Sequence, residues 1–86
     1  MYCIELSQNA QKFLDKINSE LKNRIEKTLK RLELNPVPSD AKFLGRQNNE
    51  KIFRYRIGKY RVLYLVDEKN KIILVTKIDK RDKVYN

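Results

Sequence analysis

Apolar residues recur with two different periods along the chain, and the change from one to the other marks out the fold. Tyr2, Ile4 and Leu6 alternate with Cys3 and Glu5, which predicts a short first strand. Ser7 then stands where a helix N-cap would, and Ala10, Phe13, Leu14 and Ile17 follow at helical spacing. A connection falls near Asn18 and Ser19, after which Leu21, Ile25, Leu29 and Leu32 form one apolar stripe of a second helix. Glu20–Arg24 and Glu26–Lys30 are i,i+4 pairs with the acid first, the favoured order on a helix. Asn35-Pro36-Val37-Pro38 ends that helix, because proline lacks a donor and restricts the residue before it.

Beyond a loop the period falls from 3.6 to 2. Phe53, Tyr55 and Ile57 alternate with Arg54 and Arg56, giving one strand. Gly58-Lys59 is a two-residue connection with glycine first, the signal for a type II′ hairpin. Tyr60 to Val66 forms the next strand, Asp67 to Asn70 a polar turn, and Ile72 to Ile78 a last strand. The pattern predicts an α+β fold, a two-helix hairpin packed on a small antiparallel sheet in the order β-α-α-β-β-β. A chain of 86 residues is expected to hold one domain, over residues 1–86, with one core of two layers.

Composition removes whole classes of chemistry. The sequence has no histidine and one cysteine, Cys3, so zinc-finger sites, His–Ser triads and histidine-based ribonuclease chemistry are excluded. Its glycines, Gly45 and Gly58, cannot build a Gly-rich phosphate loop. No metal or organic cofactor is indicated. The longest apolar run, Val62 to Val66, is far short of the ~20 residues of a membrane span. With no charged leader followed by an apolar segment, and no internal disulfide possible, the expected location is the cytoplasm.

Charge is what changes the picture. Twenty basic residues against 11 acidic ones give +9, and a domain this basic usually meets a polyanion. Residues 1–43 carry eight basic and six acidic side chains, a net of +2, while residues 44–86 carry twelve and five, a net of +7. The excess therefore lies with the strands and the tail. Arg54 and Arg56 sit two apart on a strand and share a face, Arg61 follows the hairpin turn, and Lys77, Lys80, Arg81 and Lys83 close the sequence. Planar guanidinium forks on a rigid sheet suit phosphate, since each donates two hydrogen bonds; a solvated basic face serving solubility is the plain alternative. Arg61 interrupts a run that wants burial. It is read either as functional or as one half of an ion pair with Asp67 or Glu68, or as a residue on the wet face of an edge strand. Among the tyrosines, Tyr55, Tyr60 and Tyr64 keep strand period and read as core, whereas Tyr85 lies outside it, just after a basic cluster.

The run Phe53-Arg54-Tyr55-Arg56-Ile57-Gly58-Lys59-Tyr60-Arg61-Val62-Leu63-Tyr64 resembles the central hairpin of RelE/ParE superfamily toxins, and Lys80-Arg81-Asp82-Lys83-Val84-Tyr85 resembles their closing basic motif. With the helical hairpin and its proline-containing exit, the resemblance covers essentially the whole chain. It implies a toxin of the RelE branch: a ribosome-dependent endoribonuclease that cuts mRNA in the decoding site and is held by an acidic, RelB-like antitoxin. Carried over by position, Arg54, Arg61, Arg81 and Tyr85 would be catalytic, with Arg56, Lys51, Lys77, Lys80 and Lys83 contacting RNA phosphates. The implied cleavage is attack of a 2′-hydroxyl on its adjacent phosphate, leaving a 2′,3′-cyclic phosphate and a 5′-hydroxyl. Tyr85 or a lysine such as Lys51 or Lys77 would be the base, and Arg81 would face the leaving oxygen. The sequence departs from its relatives in two places: Lys80 stands where many carry histidine, and Asp79 where many carry a small residue. The resemblance also leaves open a ParE-like inhibitor of DNA gyrase and a non-catalytic RNA-binding homologue.

Overall fold

The computed structural model describes residues 1–80. Seven elements follow one another: β1 (Cys3–Leu6), α1 (Gln8–Lys16), α2 (Ser19–Leu34), β2 (Lys42–Gln47), β3 (Glu50–Ile57), β4 (Tyr60–Asp67) and β5 (Ile72–Lys80). Both helices start where the capping residues allow. The Ser7 side chain accepts the Ala10 N–H at 3.1 Å and the Asn18 side chain accepts the Leu21 N–H at 2.8 Å. Helix α2 ends at Asn35, whose N–H still reaches the Arg31 carbonyl before the first proline.

The strands form one sheet in the order β1-β5-β4-β3-β2. Four of them, β2 to β5, run as an antiparallel meander, and β1 lies parallel to β5 at one edge. The α+β class and helical hairpin are as expected, but the sheet has five strands rather than four and is mixed rather than antiparallel. The added strand, β2, occupies what was expected to be loop. It is joined to β3 by Asn48-Asn49, both at positive φ (50° and 70°), the backbone of a primed two-residue turn. Gly58 sits at φ +60° in the β3–β4 turn, and a Cβ there would come within 3.2 Å of the Arg24 guanidinium.

One face of the sheet carries both helices. Ala10, Leu14, Ile25, Leu29 and Leu32 pack on Phe53, Ile57, Val62, Tyr64, Val66, Ile73, Val75 and Ile78. Tyr64 is fully buried, stacks on Phe53 with ring centres 5.7 Å apart, and donates its hydroxyl to the Pro36 carbonyl at 2.8 Å. That bond fixes the loop after α2 to the middle of the sheet. Tyr60 meets Phe13 edge-on, and Tyr55 is half-buried at the rim.

A bulge in β5 decides which side chains face away from the helices. Leu63 pairs with Lys77 but Tyr64 with Val75, so Thr76 is the extra residue. Its hydroxyl donates to the Leu63 carbonyl at 3.2 Å, and its own carbonyl accepts from the Ser7 hydroxyl at 2.8 Å. Before the bulge Ile73 and Val75 point into the core. After it the alternation inverts, so Ile78 is the buried residue and Lys77 and Asp79 turn to the opposite face.

Candidate functional site

The face away from the helices carries two rows of charge across neighbouring strands. One row runs Lys42, Arg54, Leu63, Lys77 from β2 to β5, and the next runs Arg56, Arg61, Asp79 from β3 to β5. Neighbouring strands lie about 4.8 Å apart and rows two residues apart about 6.7 Å, which is the spacing of side chains that can share one polyanion. Arg54, Arg56, Arg61 and Lys77 are therefore brought together as expected. Lys42 joins them through the unforeseen strand β2. Asp40, Lys42, Arg54 and Arg56 line a shallow depression at the β3 edge where β2 stops.

Among the described residues Arg61 is the one charged side chain in the buried set, 9% exposed. Its partner is neither Asp67 nor Glu68. Nε and Nη2 donate to the two carboxylate oxygens of Asp79 at 3.3 Å each, a side-on bidentate pair set by direct cross-strand register. Asp67 instead turns in on its own loop, accepting the Asn70 N–H at 3.1 Å and its side-chain amide at 2.8 Å, and these bonds hold its carboxyl below the usual range. Glu68 pairs with Lys51 at 3.0 Å.

Lys51 is thereby removed from the array. By strand alternation it lies on the helix side of β3, five residues from Arg56, or about 16 Å along the strand. Lys77 belongs to the array but its side chain is 55% exposed, with Nζ 3.7 Å from Asp79. Neither lysine is buried among arginines, as a lysine serving as base would need to be: the Lys51 side chain is 37% exposed and that of Lys77 55%. Lys80 pairs with Tyr60 at the end of the sheet and, after the bulge, shares the alternation of Ile78 rather than that of Asp79. Arg81, Lys83 and Tyr85 lie outside the described residues.

A second cationic feature was missed. Arg24, Lys27 and Arg31 of α2 line a groove of about 560 Å³ with Tyr55, Arg56 and Gly58, so Arg56 borders both this groove and the open-face array. Their positions, 24, 27 and 31, are one helical stripe, a signal hidden by the near-neutral total charge of the first half. Arg24 closes no ion pair with Glu20, and Lys30 none with Glu26, within 4.0 Å; the expected helix-surface pairs do not form. Burial first, and then the nearby Asp40 carboxylate, push the Tyr55 phenol above its usual value, so it stands in the groove as a neutral donor. Among the described residues no cluster of three histidine, cysteine, aspartate or glutamate side chains could hold a metal, and no helix is long and apolar enough to cross a membrane.

A capped helical hairpin on a mixed sheet, with arginines on adjacent strands of its open face, defines a small basic α+β domain. Residues 4–85 match the family described as the ParE toxin of type II toxin-antitoxin systems, parDE, and the chain belongs to that family, within the RelE/ParE superfamily. It is 28% identical over 83 residues to a protein named RelE1 from Methanocaldococcus jannaschii, covering 95% of this chain and 92% of that one. The archaeal RelE of the RelE–RelB complex from Pyrococcus horikoshii OT3 superposes with a TM-score of 0.84 at 29% identity, over 93% of this chain and 94% of that one. The isolated RelE toxin of E. coli shares the fold, with a TM-score of 0.73 at 23% identity over 99% and 92% of the two chains.

Proposed function

We propose that this protein is the toxin of a type II pair of the RelE kind, an endoribonuclease that cuts mRNA on the ribosome. The observation that carries the reading is the placement of Arg54, Arg56 and Arg61 with Lys77 on one face of adjacent strands. A phosphate passing to its transition state gathers charge on its non-bridging oxygens, and donors already in place stabilise it without reorganisation. In this reading Arg61 and Arg54 act on the reacting phosphate, and Arg56, Lys77 and Lys83 grip the flanking backbone, while Lys80, turned to the other face, is left out. Arg81 and Tyr85 complete the centre, at the leaving oxygen and at the 2′-hydroxyl. Because no histidine is available, orientation of the message by the ribosome supplies much of the rate. The partner is an acidic, RelB-like antitoxin, a reading supported by the RelE–RelB complex among the structural relatives and by the +9 charge it would neutralise.

Mapping RNA ends in a translation extract tests this. Cuts confined to ribosome-bound message, falling about 100-fold or more in Arg81→Ala and in Arg54→Ala, are expected, since one lost electrostatic donor commonly costs that much. Full cutting by both variants, or no cutting by the parent, would overturn it. A second reading, poisoning of DNA gyrase, is favoured by the family match itself, which is to ParE toxins. It predicts inhibited supercoiling by the purified protein with message left intact.

A further inference from the structure

We infer that Asp79 is a positioning residue, which holds the Arg61 guanidinium by one edge so that its other edge is presented to a phosphate of the RNA. The inference rests on the reading of the open-face array as an RNA site. A guanidinium has five N–H donors. Asp79 takes one from Nε and one from Nη2, at 3.3 Å each. Among the described residues Arg61 has no other partner, so the Nη1 donors and the second Nη2 donor remain for an end-on ligand.

Register explains why a holder is needed. Arg61 stands directly opposite Arg56 on β3 and directly opposite Asp79 on β5. Like charges facing across strands repel, so without Asp79 the long Arg61 side chain would swing off the row. The bulge at Thr76 is what brings Asp79 to this face at all. Lys77, with Nζ 3.7 Å from the same carboxylate, offsets part of the negative charge that would otherwise oppose an incoming phosphate. Arg61 keeps 11% of its side chain exposed and Asp79 18%, so the pair is shielded from solvent yet not sealed from a ligand.

The test turns on sign. Removing Asp79 raises the net charge by one, and general electrostatics then predicts tighter binding of any polyanion. Positioning predicts the reverse. A short single-stranded RNA with 2′-deoxy substitution, which binds without being cut, is titrated against the full chain over a range of salt concentrations. For Asp79→Ala the expected result is binding about tenfold or more weaker, as for a lost charge-assisted bond, with a log–log salt slope shallower by about 0.7, one phosphate contact on a single strand. Asp79→Asn, which keeps shape and one acceptor, should weaken binding in the same direction by less, and it carries the test if the alanine variant does not fold. Arg61→Lys keeps the charge but loses the fork and should match Asp79→Ala. Binding as tight as the parent's or tighter in the Asp79 variants, with the slope unchanged, overturns the role of Asp79 while leaving the site. A parent that does not bind, or an Arg61→Lys that binds as the parent does, overturns both.

Discussion

Tyr64 and Arg61 sit three residues apart on β4 and show how one strand serves two faces. Tyr64 is sealed in the core with its hydroxyl on the Pro36 carbonyl, and burial pushes its phenol well above the usual value. An unfolded tyrosine releases its proton near pH 10 while the folded one keeps it, so rising pH favours the unfolded chain. Stability is therefore expected to be intact below about pH 10 and to fall above it. Denaturant melts from pH 8 to 11 should show the loss, and Tyr64→Phe should flatten most of it. At neutral pH that substitution should cost about 1 kcal/mol for the missing bond. Arg61 is the opposite case, polar and functional in reading yet held in a half-closed pair. Its interruption of an apolar run was legible, but its partner was not. Asp79 is nearest only once the strands are in register, eighteen residues away in sequence.

At the scale of elements, cap and turn signals were faithful, whereas the expected i,i+4 pairs of α2 and the non-local partners were not. Ser7 and Asn18 cap the helices they precede, Pro36 follows the end of α2, and Gly58 takes the positive φ its turn requires. Strand β2 escaped because Lys42–Gln47 has little alternation: every residue but Gly45 is exposed, including Phe43 at 52% and Leu44 at 46%. The missed signal was Asn48-Asn49, two residues that tolerate the left-handed region. Asn49→Gly should accordingly stabilise the hairpin by roughly 0.5 kcal/mol and Asn49→Val destabilise it by roughly 1 kcal/mol, read from chemical melts. Thr76 was likewise invisible to periodicity. Deleting it would remove the bulge and leave Val75, Lys77, Ile78 and Asp79 in unbroken alternation opposite the same partners, so such a chain is expected to keep its register and lose about 1–2 kcal/mol in chemical melts, for the bonds Thr76 makes with Ser7 and Leu63.

For the whole molecule the outcome is a division of charge by surface. The open face gathers Lys42, Arg54, Arg56 and Lys77 around the Arg61–Asp79 pair, and the α2 groove adds Arg24, Lys27 and Arg31. Half-by-half totals pointed to the sheet and missed the helix, because counting charge along a chain ignores which side of a helix carries it. If the two cationic surfaces act on one polyanion through Arg56, then Lys27→Ala and Arg31→Ala together should lower RNA affinity and reduce the salt slope by about 1.4, two contacts on a single strand, with the fold unchanged. An unaltered slope would confine binding to the open face.

Strand β5, the last of the described elements in chain order, lies inside the sheet. Until β5 leaves the ribosome, β1 has no neighbour, β4 has a bare edge and Arg61 lacks Asp79. Synthesis therefore delivers the helical hairpin and β1 to β4 as an incomplete body, and the basic face closes only once β5 has followed them. Whatever reads the Arg61–Asp79 row can therefore dock only after β5 has joined β1 and β4.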